Sequence, residues 1–146
     1  MAVAVSGQAD IDATPTEVMD VIADFETYPE WSDGHKKATI DTRDANGRPN
    51  QVTMAVSAMG FSDEQVMLYE FDGDSKVTWS LVKANQQKAQ SGSYTLTPTD
   101  SGTHVEWEVS VTPRMPVPDA LVRQTLKPTI AVATEGLKKR TESLKV

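Results

Sequence analysis

The sequence predicts an α+β fold in which a curved antiparallel sheet of six or seven strands wraps one long C-terminal helix, with two short helices after the first strand. Three observations predict it. A capped helix start follows a first alternating run. Between Lys36 and Pro113 apolar residues recur at every second position in short runs parted by turn residues, with no helical period. From Asp119 to Leu144 the period becomes that of a helix.

The opening run alternates through Val3, Val5, Gly7, Ala9 and Ile11, the pattern of a strand with one buried face. Thr14-Pro15-Thr16-Glu17 then supplies an N-cap, a proline at the first helical position and the glutamate of a capping box. Val18, Val21, Ile22 and Phe25 stand at i, i+3, i+4 and i+7 and form one apolar stripe. Pro29 disfavours helical geometry at Tyr28, so this helix is expected to stop near Phe25 and a short second one to begin at Pro29.

The next six runs read as strands: Ala38-Ile40-Thr42, Val52-Met54-Val56, Gln65-Met67-Tyr69-Phe71, Val77-Trp79-Leu81, Gly92-Tyr94-Leu96 and Val105-Trp107-Val109-Val111. Asn46-Gly47, Gly60, Asp72-Gly73-Asp74-Ser75, Ala84-Asn85-Gln86-Gln87 and Thr99-Asp100-Ser101-Gly102 separate them as turns or loops. Connections this short imply an antiparallel meander. A Pro-rich joint, Pro113-Arg114-Met115-Pro116-Val117-Pro118, leads to the last helix. That helix carries Leu121, Val122, Leu126, Ile130, Ala133, Leu137 and Leu144 as its apolar positions. Pro128 is expected to kink it or remove a hydrogen bond. Lys138, Lys139, Arg140 and Lys145 gather near its end, where cations suit the helix dipole.

Composition narrows the function classes. A chain of 146 residues is the length of one domain, and 1–146 reads as a single one. No stretch approaches the roughly 18 apolar residues of a membrane span, so no integral membrane association is expected. The first residues lack the basic flank and apolar length of a signal peptide. Without cysteine there is no disulfide, thiol nucleophile or thiolate metal site, and a cytoplasmic location is the expectation. A net charge of −7 opposes nucleic-acid binding, which needs a basic footprint. The apolar share of 38% is adequate for a core and equally able to line a hollow.

Two local segments carry a family resemblance. Ala13-Thr14-Pro15 leads into Val18-Met19-Asp20-Val21-Ile22-Ala23-Asp24-Phe25, and Tyr28-Pro29-Glu30-Trp31 follows. With the order of elements, they resemble the helix-grip fold of the START-like, or SRPBCC, superfamily. The second segment looks like the aromatic-Pro-x-Trp element of its polyketide cyclase/dehydrase and coenzyme Q-binding branch. Lys88-Ala89-Gln90-Ser91-Gly92-Ser93-Tyr94 and Gly136-Leu137-Lys138-Lys139-Arg140 are similar to stretches of actinobacterial members. The resemblance covers essentially the whole chain. It implies a cavity between sheet and long helix, framed at its mouth by the Tyr28–Trp31 segment, of the kind that holds lipids, sterols, isoprenoids or polyketides. These motifs mark a fold and not a chemistry.

Strand alternation names the expected lining. Taking the more apolar face as the inner one gives Met54, Gln65, Met67, Tyr69, Trp79, Tyr94 and Trp107, with Trp31 at the mouth. Leu121, Thr125, Pro128 and Ile130 of the last helix are expected to face them, and Tyr28, Pro29 and Trp31 to form a gate or a cap. Such residues serve equally as plain core. Methionines offer adaptable walls, and the two tyrosine hydroxyls with the Gln65 amide are polar groups that must find partners. His35 is read in a loop and His104 at a strand start, with no second ligand at metal spacing beside either. No nucleophile elbow, phosphate loop or zincin motif is present, and the carboxylates fall on outer faces or turns. No cofactor, metal or catalytic residue is therefore assigned.

The preferred reading is a noncatalytic binder or transporter of a small hydrophobic ligand: a lipid, an isoprenoid or quinone, or a polyketide-like molecule. A polyketide aromatase/cyclase is the alternative, and a protein-binding module without ligand the third. A monomer or weak dimer is expected.

Overall fold

The computed structural model describes residues 2–58 and 61–144. The expected break at Gly60, and Lys145, lie outside them. Strand β1 (Val3–Ile11) is followed by helix α1 (Pro15–Ala23), a 3-10 helix (Phe25–Glu30) and six strands: β2 (His35–Ile40), β3 (Gln51–Ala58), β4 (Phe61–Asp72), β5 (Lys76–Lys83), β6 (Gln87–Thr99) and β7 (Gly102–Pro113). Helix α2 (Asp119–Ala131), a π-helical turn (Val132–Gly136) and helix α3 (Leu137–Ser143) complete it. The strands form one antiparallel sheet in the order β1-β7-β6-β5-β4-β3-β2. Five of the six strand pairings are the expected meander; the sixth brings β1 back beside β7.

Local sequence explains the elements that border the concave face. Thr14 caps α1: its hydroxyl accepts from the Glu17 N–H at 3.2 Å, and Glu17 accepts from the Thr14 N–H at 2.9 Å. The capping box and the buried stripe Val18, Val21, Ile22 and Phe25 both follow the expected pattern. The second short helix differs from expectation. It begins at Phe25 and contains Pro29, because a 3-10 turn needs few internal donors and the N–H groups of Trp31 and Ser32 both reach back over Pro29 to the Tyr28 carbonyl.

The last helix is continuous in course but not in type. Pro128 lies within α2, and four residues later the chain makes the wider π turn before α3 resumes. Only Val122 is buried in α2, against Ala133, Thr134, Leu137 and Thr141 beyond it. The C-terminal half is therefore the anchored half. Lys138 donates to the Asp10 carbonyl at 2.7 Å and pairs with Glu142 at 2.7 Å, and Glu142 accepts from the Asp12 N–H at 2.9 Å. Where the helix crosses β1, a Cβ on Gly7 would stand 2.9 Å from Thr134 Cγ2 and 3.1 Å from Ile130 Cγ2. The missing side chain is what lets the helix lie against the sheet at that crossing.

Arg48, in the connection between β2 and β3, ties that connection to α1 and to the β4–β5 turn. Its guanidinium pairs with Asp20 of α1 at 3.0 Å and with Asp74 of the β4–β5 turn at 2.8 Å, and lies 5.6 Å from the Phe71 ring centroid.

Candidate ligand site

Register builds the concave face in rows. Tyr69 stands beside Trp79, Trp79 beside Gly92, Gly92 beside Val109, and Val109 beside Val5. The neighbouring row runs Phe71, Val77, Tyr94, Trp107 and Gly7. Met54 pairs with Gln65, and Met67 lies between Val52 and Leu81. All seven lining residues expected on strands are buried: Met54, Gln65, Met67, Tyr69, Trp79, Tyr94 and Trp107. Glu64, Glu70, Glu106 and Glu108, which alternate with them, are exposed.

Aromatic rings run across this face without a gap. Ring centroids are 5.0 Å apart for Trp31 and Tyr28, 5.0 Å for Tyr28 and Phe25, and 4.6 Å for Phe25 and Tyr69. Tyr69 to Trp79 is 5.7 Å, and Trp79 to Tyr94 is 5.8 Å. Phe25 is thus the link between the 3-10 helix and the sheet, a role its place in the α1 stripe did not announce. Gly92 makes room for the indole: a Cβ there would stand 2.5 Å from Trp79 Cε2 and nearer still to Cζ2.

Polar atoms on this face divide into satisfied and unsatisfied. The Tyr94 hydroxyl donates to the Ala133 carbonyl of the π turn at 3.2 Å, and the Tyr28 hydroxyl donates to the Ile22 carbonyl. Trp79 Nε1 donates to Gln90 Oε1 at 3.1 Å, and Gln90 Nε2 donates to Gln87 Oε1 at 2.7 Å. By contrast, the Tyr69 hydroxyl and the Gln65 amide, both in residues 7% exposed, make no hydrogen bond among the described residues. Trp31 Nε1 and Arg140 Nε are buried without a partner. Buried polar groups ordinarily find partners, so Trp31 Nε1 and Arg140 Nε are the atoms at which a ligand or water is owed.

Burial also sets the protonation states. It pushes the phenols of Tyr28, Tyr69 and Tyr94 well above their ordinary range, so all three are neutral donors. It pushes His35 down to about 4, so this imidazole is neutral at pH 7. His35 opens β2 and is not in a loop; its Nδ1 lies 2.6 Å from the Ser32 hydroxyl, and its ring meets Tyr28 edge-on at 5.2 Å. His104 lies on the outer face and bonds Asp10 at 2.7 Å. Among the described residues no group of three metal-ligating side chains converges, and no helix is long and apolar enough to cross a membrane.

The long helix presents a different face from the one expected. Leu121 is 48% exposed and Val122 takes the buried place. Leu121 stands five residues before Leu126, which at 3.6 residues per turn is about 140° away round the helix. Thr125 is half-buried, but its hydroxyl donates to the Val122 carbonyl at 2.8 Å, and Pro128 is exposed. Leu126 and Ile130 are the α2 residues that reach the core. In the expected gate, Tyr28 is buried, Trp31 half-buried and Pro29 exposed. Arg140 of α3 holds this segment through Glu30 at 3.2 Å. Gln87 and Gln90 lie outside the expected lining because the polar run Ala84-Asn85-Gln86-Gln87 reads as a loop; β6 in fact begins at Gln87, and the period-two series Gln90, Gly92, Tyr94, Leu96 is the signal that places Gln90 on this face.

Two open grooves of about 470 and 440 Å3 lie along the outer side of the sheet, lined by Ser6, Gln8, Thr95 and Glu106 in one and by Lys76, Thr78, Ser91 and Ser110 in the other. Their hydroxyl-rich lining contrasts with the aromatic concave face.

Comparison with known proteins agrees with this architecture. The model of the polyketide cyclase / dehydrase and lipid transport family matches residues 2–142. The chain belongs to that family. Among solved structures, this polyketide cyclase / dehydrase and lipid transport family member is similar to a START superfamily protein from Mycobacterium smegmatis, with 24% identity over 97% of this chain and 99% of the other and a TM-score of 0.88. It is similar to the Zhui aromatase/cyclase of a Streptomyces species, with 13% identity over 100% and 97% of the two chains and a TM-score of 0.86. A Thermus thermophilus protein matches at 16% identity over 100% of both chains, with a TM-score of 0.80. Among curated proteins none matches the sequence.

Proposed function

We propose that this protein binds a small hydrophobic molecule, lipid, isoprenoid, quinone or polyketide-like, against the concave face of its sheet, and that it does so without catalysing a reaction. One observation carries the reading. A continuous lining of rings and methionines contains polar heads, Gln65 and Tyr69, that nothing in the described protein satisfies. Ligand pockets combine a mostly apolar wall with a few placed polar groups. The family description supports the reading, since it names lipid transport beside cyclase and dehydrase activity. Apolar burial supplies most of the affinity, at about 25 cal/mol per Å2 before association costs.

Entry is through α2. This helix buries one residue, Val122, and is held at its start by Arg123 donating to the Ala4 carbonyl at 3.0 Å. Tyr28 and Trp31 act as the gate on the other side, with Leu121 and Thr125 on the moving helix. The protein acts in the cytoplasm as a monomer or weak dimer of one domain, a reading that rests on its charge of −7 and lack of cysteine.

The aromatase/cyclase alternative draws support from the family description and from two buried neutral phenols, Tyr69 and Tyr94, able to polarise a carbonyl. Against it, no carboxylate is buried among the described residues to take a proton.

The test is native mass spectrometry of purified protein, followed by organic extraction and by titration with the fluorescent hydrocarbon pyrene. A released apolar species, or saturable pyrene binding, is expected. Protein that carries nothing and does not bind pyrene refutes the proposal.

A further inference from the structure

We infer that the corner where the 3-10 helix meets α3 is a carboxylate-binding subsite, in which Arg140 Nε and Trp31 Nε1 donate to the acid head of a hydrophobic molecule and Glu30 is the carboxylate that this head displaces. The inference rests on the ligand-binding reading above and adds a charged head group to it.

Two buried donors mark the corner. Among the described residues, the buried side-chain nitrogens and oxygens without a partner are Trp31 Nε1 and Arg140 Nε. Neither can accept a hydrogen bond, so what is missing is an acceptor. An ionised carboxylate only accepts, whereas water or an alcohol brings hydrogens that need partners of their own. The two donors belong to one place in the fold. Trp31 follows Glu30 directly at the end of the 3-10 helix, and Glu30 is the residue that Arg140 reaches from α3.

Glu30 shows what the corner attracts. Its Oε1 lies 3.2 Å from Arg140 Nη2, the longest of the Arg and Lys ion pairs among the described residues. Arg48 stands 3.0 Å from Asp20 and 2.8 Å from Asp74, and Lys138 stands 2.7 Å from Glu142. Nη2 and Nε form one edge of the planar guanidinium, an edge that takes both oxygens of a carboxylate. Glu30 uses one donor of that edge and leaves the other empty. The Glu30 side chain is 61% exposed, so this contact is a surface pair of small worth. Arg140 is 20% exposed, and a carboxylate entering beside it meets a counter-charge that its present partner holds only weakly.

Burial decides the direction of approach. Arg140 Nε and Trp31 Nε1 are closed to solvent, and Trp31 packs against the core, so the acceptor reaches them from the concave side. Trp31 is also the first ring of the row that continues through Tyr28, Phe25, Tyr69 and Trp79. A molecule whose apolar body lies along that row ends with its head at Trp31 and Arg140.

Two fluorescent probes with one body test this on the full chain: 1-pyrenebutyrate, charged, and 1-pyrenebutanol, uncharged. Each is titrated into the wild type, Arg140→Gln, Trp31→Phe and Glu30→Gln, with circular dichroism to show that the variants fold. The readout is the ratio of the two affinities, which a merely structural change in the apolar wall leaves unmoved. Pyrenebutyrate is expected to bind the wild type more tightly than pyrenebutanol. Arg140→Gln should cut that preference roughly ten-fold and Trp31→Phe roughly five-fold. Glu30→Gln, an exposed substitution that removes the competing carboxylate, should raise it. A wild type that does not prefer pyrenebutyrate, or a preference that Arg140→Gln and Glu30→Gln leave unchanged, overturns the inference, while pyrenebutanol binding keeps the ligand-binding reading. If neither probe binds the wild type, both fall.

Discussion

Replacing Gly92 by alanine tests how tightly the aromatic row is built. A Cβ there would stand 2.5 Å from Trp79 Cε2 and 2.8 Å from the Glu108 carbonyl oxygen, against an ordinary contact near 3.5 Å. The indole has little freedom to withdraw. It is tied to Gln90 at 3.1 Å and flanked by Tyr69 and Tyr94 at 5.7 and 5.8 Å. The second obstacle is backbone of β7, which cannot rotate aside. Overpacking of this kind costs roughly 1–3 kcal/mol, and two rigid neighbours place it at the upper end. Glycine to alanine also restricts the unfolded chain, which offsets about 0.4–1 kcal/mol. The net loss is about 2 kcal/mol, or a fall in Tm of roughly 4–8 °C for a chain of this size. Calorimetry measures it, and urea denaturation with an unchanged m-value shows that the native state is what changed. The cause is separable, because in a Trp79→Leu background the same substitution should cost less by about 1 kcal/mol. A Tm at or above wild type, or an equal cost in both backgrounds, would refute the steric argument.

Other outcomes follow from the same contacts. Tyr94→Phe removes the bond to the Ala133 carbonyl and should cost about 1 kcal/mol in urea denaturation; no loss would mean that the π turn does not depend on it. Folding holds His35 down to about 4 from the usual 6.5, so the unfolded chain protonates it first: its contribution is complete above pH 6.5 and is lost as pH falls from there toward 4, by on the order of 1 kcal/mol per pH unit. Tm measured against pH should fall less steeply across that window in His35→Gln than in wild type. Arg48→Met keeps the apolar stem over Phe71 but breaks the pairs with Asp20 and Asp74, and a loss of about 1 kcal/mol that shrinks in high salt is expected from thermal melts. Hydrogen exchange should find the amides of α2 opening far more readily than those of β7, since α2 buries Val122 alone; equal protection would contradict α2 as the entry element.

Much of this was legible in the chain because period two is a local property. Residues that alternate along a strand must share a face, so Met54, Met67, Tyr69, Trp79, Tyr94 and Trp107 could be grouped without knowing which strands pair. The capping box at Thr14 and Glu17 is likewise written within four residues. Leu121 shows the opposite case. Two adjacent apolar residues, Leu121 and Val122, leave the phase of a helix undecided until the rest of the stripe is docked on β1. Gln90 shows another, because a polar residue gives no alternation to read, and only pairing with β7 and contact with Trp79 put it inside.

The sequence by itself determined the order of elements, the buried face of each strand, the family resemblance and the outward placement of its acids, since all of these depend on neighbours in the chain. Tertiary structure alone decided which donors are spent and which are left. Tyr69 and Tyr94 are the same residue type on the same face of one sheet, and nothing local separates them. What does is the π turn, which brings the Ala133 carbonyl to one hydroxyl and no acceptor among the described residues to the other. Hydrogen bonds between residues 39 positions apart exist only once the chain is folded, and they decide which hydroxyl on this face is already spent.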